Sequence, residues 1–464
     1  IYILFMKARK ILTIISISIT FSLIMFNTAI VAIAFPDITK TITSTHFSEQ
    51  WIINAYILSL VTFTLIAGKL CDIYSTKNII ITGLITFAIS SIGCFFANDF
   101  KFFIFFRVIQ GIASACLITP ATKLLSDVFN ARKFGKAIGM TTGYASIGLI
   151  AAPILGGITV QRFGWRWIFI INVALCIFAV ITLLGVKVKS HCSNKLKTSD
   201  IISFIIIAIS LFCLVFSIME GPALTWLSPS ILSLLCISII SFMLFIITEK
   251  FKKEPLIKLQ SIINNKFIIS NFIIIFTEAL SISLIFLIMY MQKTLIYSPT
   301  KTGLLILPFY ILLCSTNFIS GFWINKKGPY QPLIFASTIT PLGFAITFYL
   351  LPDKNYISII PIIICVGISL GIMINATKTI IVESISRSNR GIAIGIQNNS
   401  RDISATISFA IFASIISYYK IQEVNTSLTT TYSFYNAFYC IVFLCLISSI
   451  IILLLSLIIS KISK

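Results

Sequence analysis

The sequence predicts an all-α integral membrane protein whose fourteen transmembrane helices form two six-helix bundles plus two inserted helices. Three observations predict it. Hydrophobic residues fill 58% of the 464 positions and charged residues only 11%, less than half the roughly 25% usual in soluble chains. The apolar residues run in blocks of about 20, the length that crosses a hydrocarbon core about 30 Å thick at about 1.5 Å per residue. Short strings from the first part of the chain recur at offsets of 253 and 256 residues.

Fourteen blocks follow in order at 11–35, 51–67, 78–97, 102–122, 135–160, 167–186, 201–219, 229–248, 267–291, 302–323, 332–351, 356–377, 391–418 and 434–459. Short polar, Pro- or Lys-bearing turns separate them. The first block follows Lys7, Arg9 and Lys10 and so imitates a secretory leader. It is too long for one, and it ends at Phe35-Pro36-Asp37 without a small-residue cleavage pattern, so it reads as the first span. Unbroken apolar runs disfavour a membrane barrel, which shows short alternating segments.

Lys and Arg number 35 against 14 Asp and Glu, a formal net charge of +21. In a soluble protein that excess would suggest nucleic acid. Its distribution points elsewhere. With both termini cytoplasmic, 25 of the cations fall in cytoplasmic segments, 8 in outer loops, and Arg107 and Arg401 within spans. Lys123 and Lys378 count as loop cations in this assignment. Six carboxylates on each side leave +19 inside and +2 outside. An excess of Lys and Arg marks the cytoplasmic face, so the charge reports orientation in the cytoplasmic (inner) membrane and calls for no nucleic acid. The Lys-rich turns at 187–197 and 249–266 read as inner-leaflet anchors. Of eleven Cys, only Cys71 and Cys192 fall in turns, which argues against disulfides and metal sites. His46 and His191 are the only histidines and both lie in loops, so no histidine-based catalytic centre is expected. The sequence calls for no cofactor and reads as a non-enzyme.

The repeated strings are Gly68-Lys69-Leu70-Cys71-Asp72, echoed by Gly321-Phe322-Trp323-Ile324-Asn325, and Gly135-Lys136-Ala137-Ile138-Gly139, echoed by Gly391-Ile392-Ala393-Ile394-Gly395. They align spans 1–6 with spans 9–14. The expected organisation is an N-terminal bundle over 1–190, an inserted pair with its linkers over 191–262, and a C-terminal bundle over 263–464. Six spans return the chain to the same side, so the repeats are parallel, with substrate expected near the midplane between them.

Candidate functional residues are ionisable groups at membrane depth and glycines where helices meet. Arg107, with Gln110 and Gly111 following, lies in the outer part of span 4. An intramembrane Arg costs about 3 kcal/mol on insertion scales and marks a functional site by default, although snorkelling to the outer headgroups is the competing reading. Glu278 lies near the middle of span 9. Burial disfavours an ionised carboxyl, which suits proton exchange, and an anion there could draw a cationic substrate. A structural hydrogen bond is the alternative. Arg401 and Asp402 share a level in span 13, with Asp402 a second proton-site candidate or half of a cross-helix pair. Neighbouring helical residues point about 100° apart, so these two need not pair with each other. In the turn after span 2, Gly68 permits close packing and Asp72 is expected to pair with Arg132 as a cytoplasmic latch, unless this is an ordinary basic turn. Gly139, Gly143, Gly148, Gly156 and Gly157, with Ala152 and Pro153, form a stripe of small residues that lets another helix approach and bend.

Together these residues resemble the major facilitator superfamily, in its fourteen-spanner drug:proton antiporter branch, over essentially the whole chain. The stretch from Phe26 to Pro36 is similar to that branch's span-1 motif, and Trp51 to Tyr56 to its span-2 opening. Gly68 to Lys77 resembles the loop 2–3 motif, and Arg107 to Gly111 the span-4 motif whose Arg is implicated in proton coupling. Gly139 to Gly157 resembles the antiporter motif, and Trp165 to Asn172 the start of span 6. The resemblance implies the major facilitator fold and a part for Arg107 in proton coupling, beside Glu278 and Asp402, which their depth in the apolar runs makes the candidate proton sites. The expected substrate cavity includes Asn27, Tyr56, Gln110, Glu278 and Arg401. Asn27 stands where the branch usually has Asp, and Ala32 where it has Asn.

The leading expectation is proton-coupled efflux of small amphipathic compounds by alternating access. Export of a specific metabolite, such as an organic acid, siderophore or lipid-like molecule, stays open because Asn27 weakens recognition of cations. A non-transporting membrane sensor is the remote alternative. The expected partners are a small-molecule substrate, protons and the lipid bilayer. An accessory efflux partner is compatible with these features but not indicated by them.

Overall fold

A computed structural model describes residues 2–42, 51–186, 198–224, 226–252, 264–297, 299–426 and 430–462. His46, His191, Cys192 and the Lys-rich turn at 187–197 lie outside the described residues, as does 253–263 of the second basic turn. Fourteen α-helices account for nearly all the rest, with no strand among the described residues. The first bundle contributes α1 (Tyr2–Thr41), α2 (Trp51–Ile73), α3 (Thr76–Phe96), α4 (Phe100–Val128), α5 (Ala131–Phe163) and α6 (Trp167–Leu184). The inserted pair is α7 (Thr198–Leu224) and α8 (Pro229–Phe251). Then follow α9 (Asn265–Lys293), α10 (Pro299–Lys327), α11 (Tyr330–Leu350), α12 (Ile360–Ser384), α13 (Arg390–Thr426) and α14 (Thr430–Ile462). Each of the fourteen contains a segment long and apolar enough to cross a membrane. The chain is thus a multi-pass membrane protein. Helices suit lipid because every backbone group finds its partner within the same segment.

Local chemistry sets several helix ends. The Asp99 carboxylate accepts the N–H groups of Lys101 and Phe102 at 3.0 and 3.3 Å and so caps α4. Asn264 caps α9 by accepting from the Phe267 N–H at 2.8 Å. Gly164 ends α5 at φ 88°, and Gly328 follows α10 at φ 78°, left-handed conformations that cost glycine little.

The helix pairings repeat between the two halves of the chain. In the first, α4 lies against α2 and α3, and α6 against α1 and α3. In the second, α12 lies against α10 and α11, and α14 against α9 and α11. Advancing each helix by eight converts one pattern into the other, in register with the sequence echoes. Phe103 anchors one core, edge-on to Trp165 and Phe169 at 5.8 Å each. Tyr290 and Phe438 stack at 4.6 Å in the other, among Leu287, Phe344 and Ile441.

The chain groups into two compact units. One comprises Ile1–Ser217, Leu232–Ile262 and Ile385–Asn399, the other Ile218–Ile231, Ile263–Ser384 and Ser400–Lys464. The first turns of α13 therefore group with the first unit, and the tip of the inserted pair with the second. Within the inserted pair, Ser210 and Ser238 each donate to the other's carbonyl, at 3.0 and 2.9 Å. Near one end, Glu249 is 3% exposed, accepts from Ser203 at 2.7 Å and pairs with Lys252 at 2.9 Å. Such side chains hold helices together in lipid, where no water competes for them.

Two cations counted in loops belong to helices. α4 runs on to Val128 and encloses Lys123 at 7% exposure, while α12 runs on to Ser384 and encloses Lys378 at 6%. Lys123 meets a buried acid, Asp72 on α2, at 3.3 Å.

Candidate functional site

Three polar clusters interrupt the apolar interior. The first lies among α1, α2, α3, α4 and α6. Arg107 is 1% exposed and turns inward rather than toward headgroups. Its Nε donates to the Ile52 carbonyl at 2.9 Å, and its Nη1 to Gln110 Oε1 at 2.6 Å. Gln110 Nε2 in turn donates to Ser91 Oγ at 2.8 Å. The guanidinium stands 4.5 Å from the centroid of the Tyr56 ring, a cation–π contact. The Tyr56 hydroxyl lies 2.9 Å from Ser114 Oγ, with Asn27 and Thr28 close to it. Gly111 makes the cluster possible, since a Cβ there would strike Ser59 Oγ and the Tyr56 carbonyl. Among the described residues no carboxylate pairs with Arg107. Asn27 is wholly buried and accepts from Asn172 Nδ2 at 2.9 Å, while its own Nδ2 has no partner. Asn27, Tyr56 and Gln110 thus form one connected network inside the first unit.

The second cluster lies among α9, α12 and α13 in the second unit. Arg401 Nε is 3.4 Å from Glu278 Oε1, and its Nη2 is 3.0 Å from Asp402 Oδ1. Nε also donates to Asp402 Oδ1 at 3.1 Å. Arg401 and Asp402 do pair despite their different bearings on the helix, because the long Arg side chain folds across the 100° or so between them. Asp402 Oδ2 is buried without a hydrogen-bond partner. Lys378 stands in the field of all three groups, so two acids and two bases share this region. Nothing in the local sequence separated Lys378 from a loop cation.

The third cluster joins α2, α4 and the start of α13, all within the first unit. Asp72 Oδ1 lies 3.3 Å from Lys123 Nζ, and the lysine also donates to the Cys71 carbonyl at 2.7 Å. Each Asp72 oxygen accepts a backbone N–H at 3.1 Å, one from Gly391 and one from Ile392. Those N–H groups open α13, where the helix dipole favours an anion. Gly68 lets the backbones meet, since a Cβ on it would lie 2.7 Å from the Gly391 carbonyl. Arg390 adds a bond to the Ser126 carbonyl at 3.1 Å. The Arg132 side chain lies outside the described residues, and the described cationic partner of Asp72 is Lys123. A signal for Lys123 was present, since Asp127 follows it by one helical turn and lies 3.8 Å away.

Along α5, Gly139, Gly143 and Gly156 are buried. Gly148 meets α1 closely, since a Cβ there would strike Ser22, whereas a Cβ on Gly157 would meet nothing within 4 Å. The Pro153 side chain lies outside the described residues.

Fourteen spans in a repeated six-helix pattern, with charged clusters buried at depth, define a membrane transport protein. The sequence profile of the Major Facilitator Superfamily matches residues 17–409 and 272–463, and the chain belongs to this superfamily. It is a transporter and not an enzyme. It is 25% identical over 414 residues to the multidrug resistance protein Stp of Mycobacterium tuberculosis strain CDC 1551 / Oshkosh, covering 89% of this chain and 76% of that one. It is likewise 25% identical to the tetracenomycin C resistance and export protein of Streptomyces glaucescens, over 89% of this chain and 77% of the other. In fold it is similar to the crystal structure of the human organic anion transporter MFSD10 (TETRAN), with a TM-score of 0.68, 11% identity, and coverage of 96% and 99% of the two chains.

Proposed function

We propose that the chain exports small amphipathic compounds, drugs among them, in exchange for protons across the cytoplasmic membrane. The observation that carries this reading is the Glu278–Arg401–Asp402 cluster. A carboxylate oxygen of Asp402 without a partner sits beside a guanidinium shared by two acids. Proton uptake by either acid frees Arg401 to turn wholly to the other, so protonation and side-chain rearrangement are coupled. The multidrug resistance and tetracenomycin C export relatives support efflux as the direction and drugs as the cargo. The +19 and +2 charge division supports cytoplasmic termini.

Alternating access requires contacts that form in one state and break in another. The Asp72 carboxylate on the α13 N-terminus, backed by Lys123, is suited to that. It consists of a few charge-assisted hydrogen bonds worth about 1.5–3 kcal/mol each, enough to bias a two-state equilibrium without locking it.

A second reading, export of an acidic metabolite, is favoured by Arg107. It is a buried cation without a described carboxylate partner, and the neighbouring Asn27 is neutral. Reconstitution into liposomes with an imposed pH gradient separates the two. Gradient-driven efflux of amphipathic cations and neutral compounds supports the first reading, and flux confined to anions supports the second. No gradient-driven flux of any compound overturns both.

A further inference from the structure

A cavity of about 730 Å³ lies in the second unit, away from the charged cluster. One wall is a face of α13 bearing Ile407, Ile411, Ser414 and Tyr418, and across it stand Ile218 and Trp226 from the tip of the inserted pair. Among the described residues, no Asp, Glu, Lys or Arg lines it. We infer that this groove holds one acyl chain of a bilayer phospholipid.

Three features select that occupant. The first is direction. At about 100° per residue, the centre of the groove face lies about 150° round α13 from Asp402 and about 110° from Arg401. The groove face therefore points away from Asp402 and to one side of Arg401. The second is length. Ile407 to Tyr418 spans eleven steps, about 16 Å of helix rise, which matches one leaflet of a hydrocarbon core about 30 Å thick. The third is the gradient along it. Aliphatic residues line the deep end, while Tyr418, Tyr419 and Trp226 gather at the other, where aromatic rings sit at headgroup level. Ile411 and Tyr418 remain 48% and 58% exposed, so the face is open to a chain arriving from the side.

The test measures lipid retained by the full-length chain purified in mild detergent, by native mass spectrometry. The wild-type chain should carry one phospholipid. Ala410→Trp and Ser414→Phe, which fill the groove, should lose it. Ile450→Trp, on an exposed face of α14 outside the groove, should keep it. Equal retention in all four chains overturns the inference, as does a wild-type chain that carries no lipid or appears as a dimer sealed through this face. The wild-type chain also gives a reading that needs no filling variant. In nanodiscs, Trp226 emission, taken as the difference from Trp226→Phe, should be quenched along a saturating curve as brominated-acyl phospholipid is added. A straight line reports only the general lipid annulus and overturns the inference.

Discussion

Asp72 on α2 accepts the backbone N–H of Gly391 at 3.1 Å, across 319 positions of the chain. Gly391 belongs to the echo of Gly135-Lys136-Ala137-Ile138-Gly139, and Asp72 closes the string echoed at Gly321. The two strings that betray the internal repeat thus supply the two sides of one contact. Glycine is needed on both sides, because a Cβ on Gly391 would strike the Gly68 carbonyl and one on Gly68 would lie 2.7 Å from the Gly391 carbonyl.

Asp72→Asn keeps the shape of the side chain but removes its charge. Lys123 then keeps the Cys71 carbonyl and, as its described carboxylate, Asp127 at 3.8 Å, while the α13 N-terminus loses its anion. A loss of about 2 kcal/mol from this contact is expected, a shift of about thirtyfold in the state it stabilises. Transport rates in proteoliposomes should change several-fold while purified yield stays level. Unchanged rates would remove the contact from the transport cycle.

Gly68→Ala separates the same surfaces by bulk rather than charge. Cys71 is only 1% exposed beside this junction, so maleimide labelling of Cys71 should accelerate in the variant. If labelling stays as slow as in the parent, the junction yields locally and the glycine is not required.

Glu278→Gln leaves Arg401 paired with Asp402 alone. Efflux driven by a substrate gradient should persist, and acceleration by an imposed pH gradient should disappear. Asp402→Asn tests the second acid in the same way. Full gradient-driven exchange in both variants would eliminate the cluster as the proton site.

Arg107→Lys keeps the charge but cannot serve the Ile52 carbonyl and Gln110 from one fixed fork. Transport should fall about tenfold, the equivalent of about 1.4 kcal/mol, with folding retained. Near-normal transport by the Lys variant would mean that charge alone suffices at this position.

Asn27→Asp places a carboxylate beside Tyr56 and Asn172. Uptake competition between cationic and anionic compounds should shift toward cations, because the added negative charge offsets Arg107. An unaltered preference would show that the first-unit network does not select substrate charge.

Much of this architecture was legible in one dimension. A span is a property of about 20 consecutive residues, so all fourteen helices could be counted and ordered before their packing was known. The proposed orientation rests on sums over loops, and the repeat on strings such as Gly391 to Gly395. Arg107, Glu278, Arg401 and Asp402 stood out for the same reason, since each is a charge inside an apolar run. Lys123 and Lys378 did not, because a cation near the end of a run looks like the start of a loop. Whether such a lysine reaches water or an acid depends on what a distant helix places opposite it. The same holds for the partner of Asp72, the Asn27–Asn172 pair and the fold-back of Arg401 on Asp402. These are distances between residues far apart in the chain or rotamers chosen by neighbours. The sequence by itself determined how many times the chain crosses the bilayer and with which charges. The tertiary structure decided which charges meet, because in a low-dielectric interior each buried ion takes the partner that packing brings within reach.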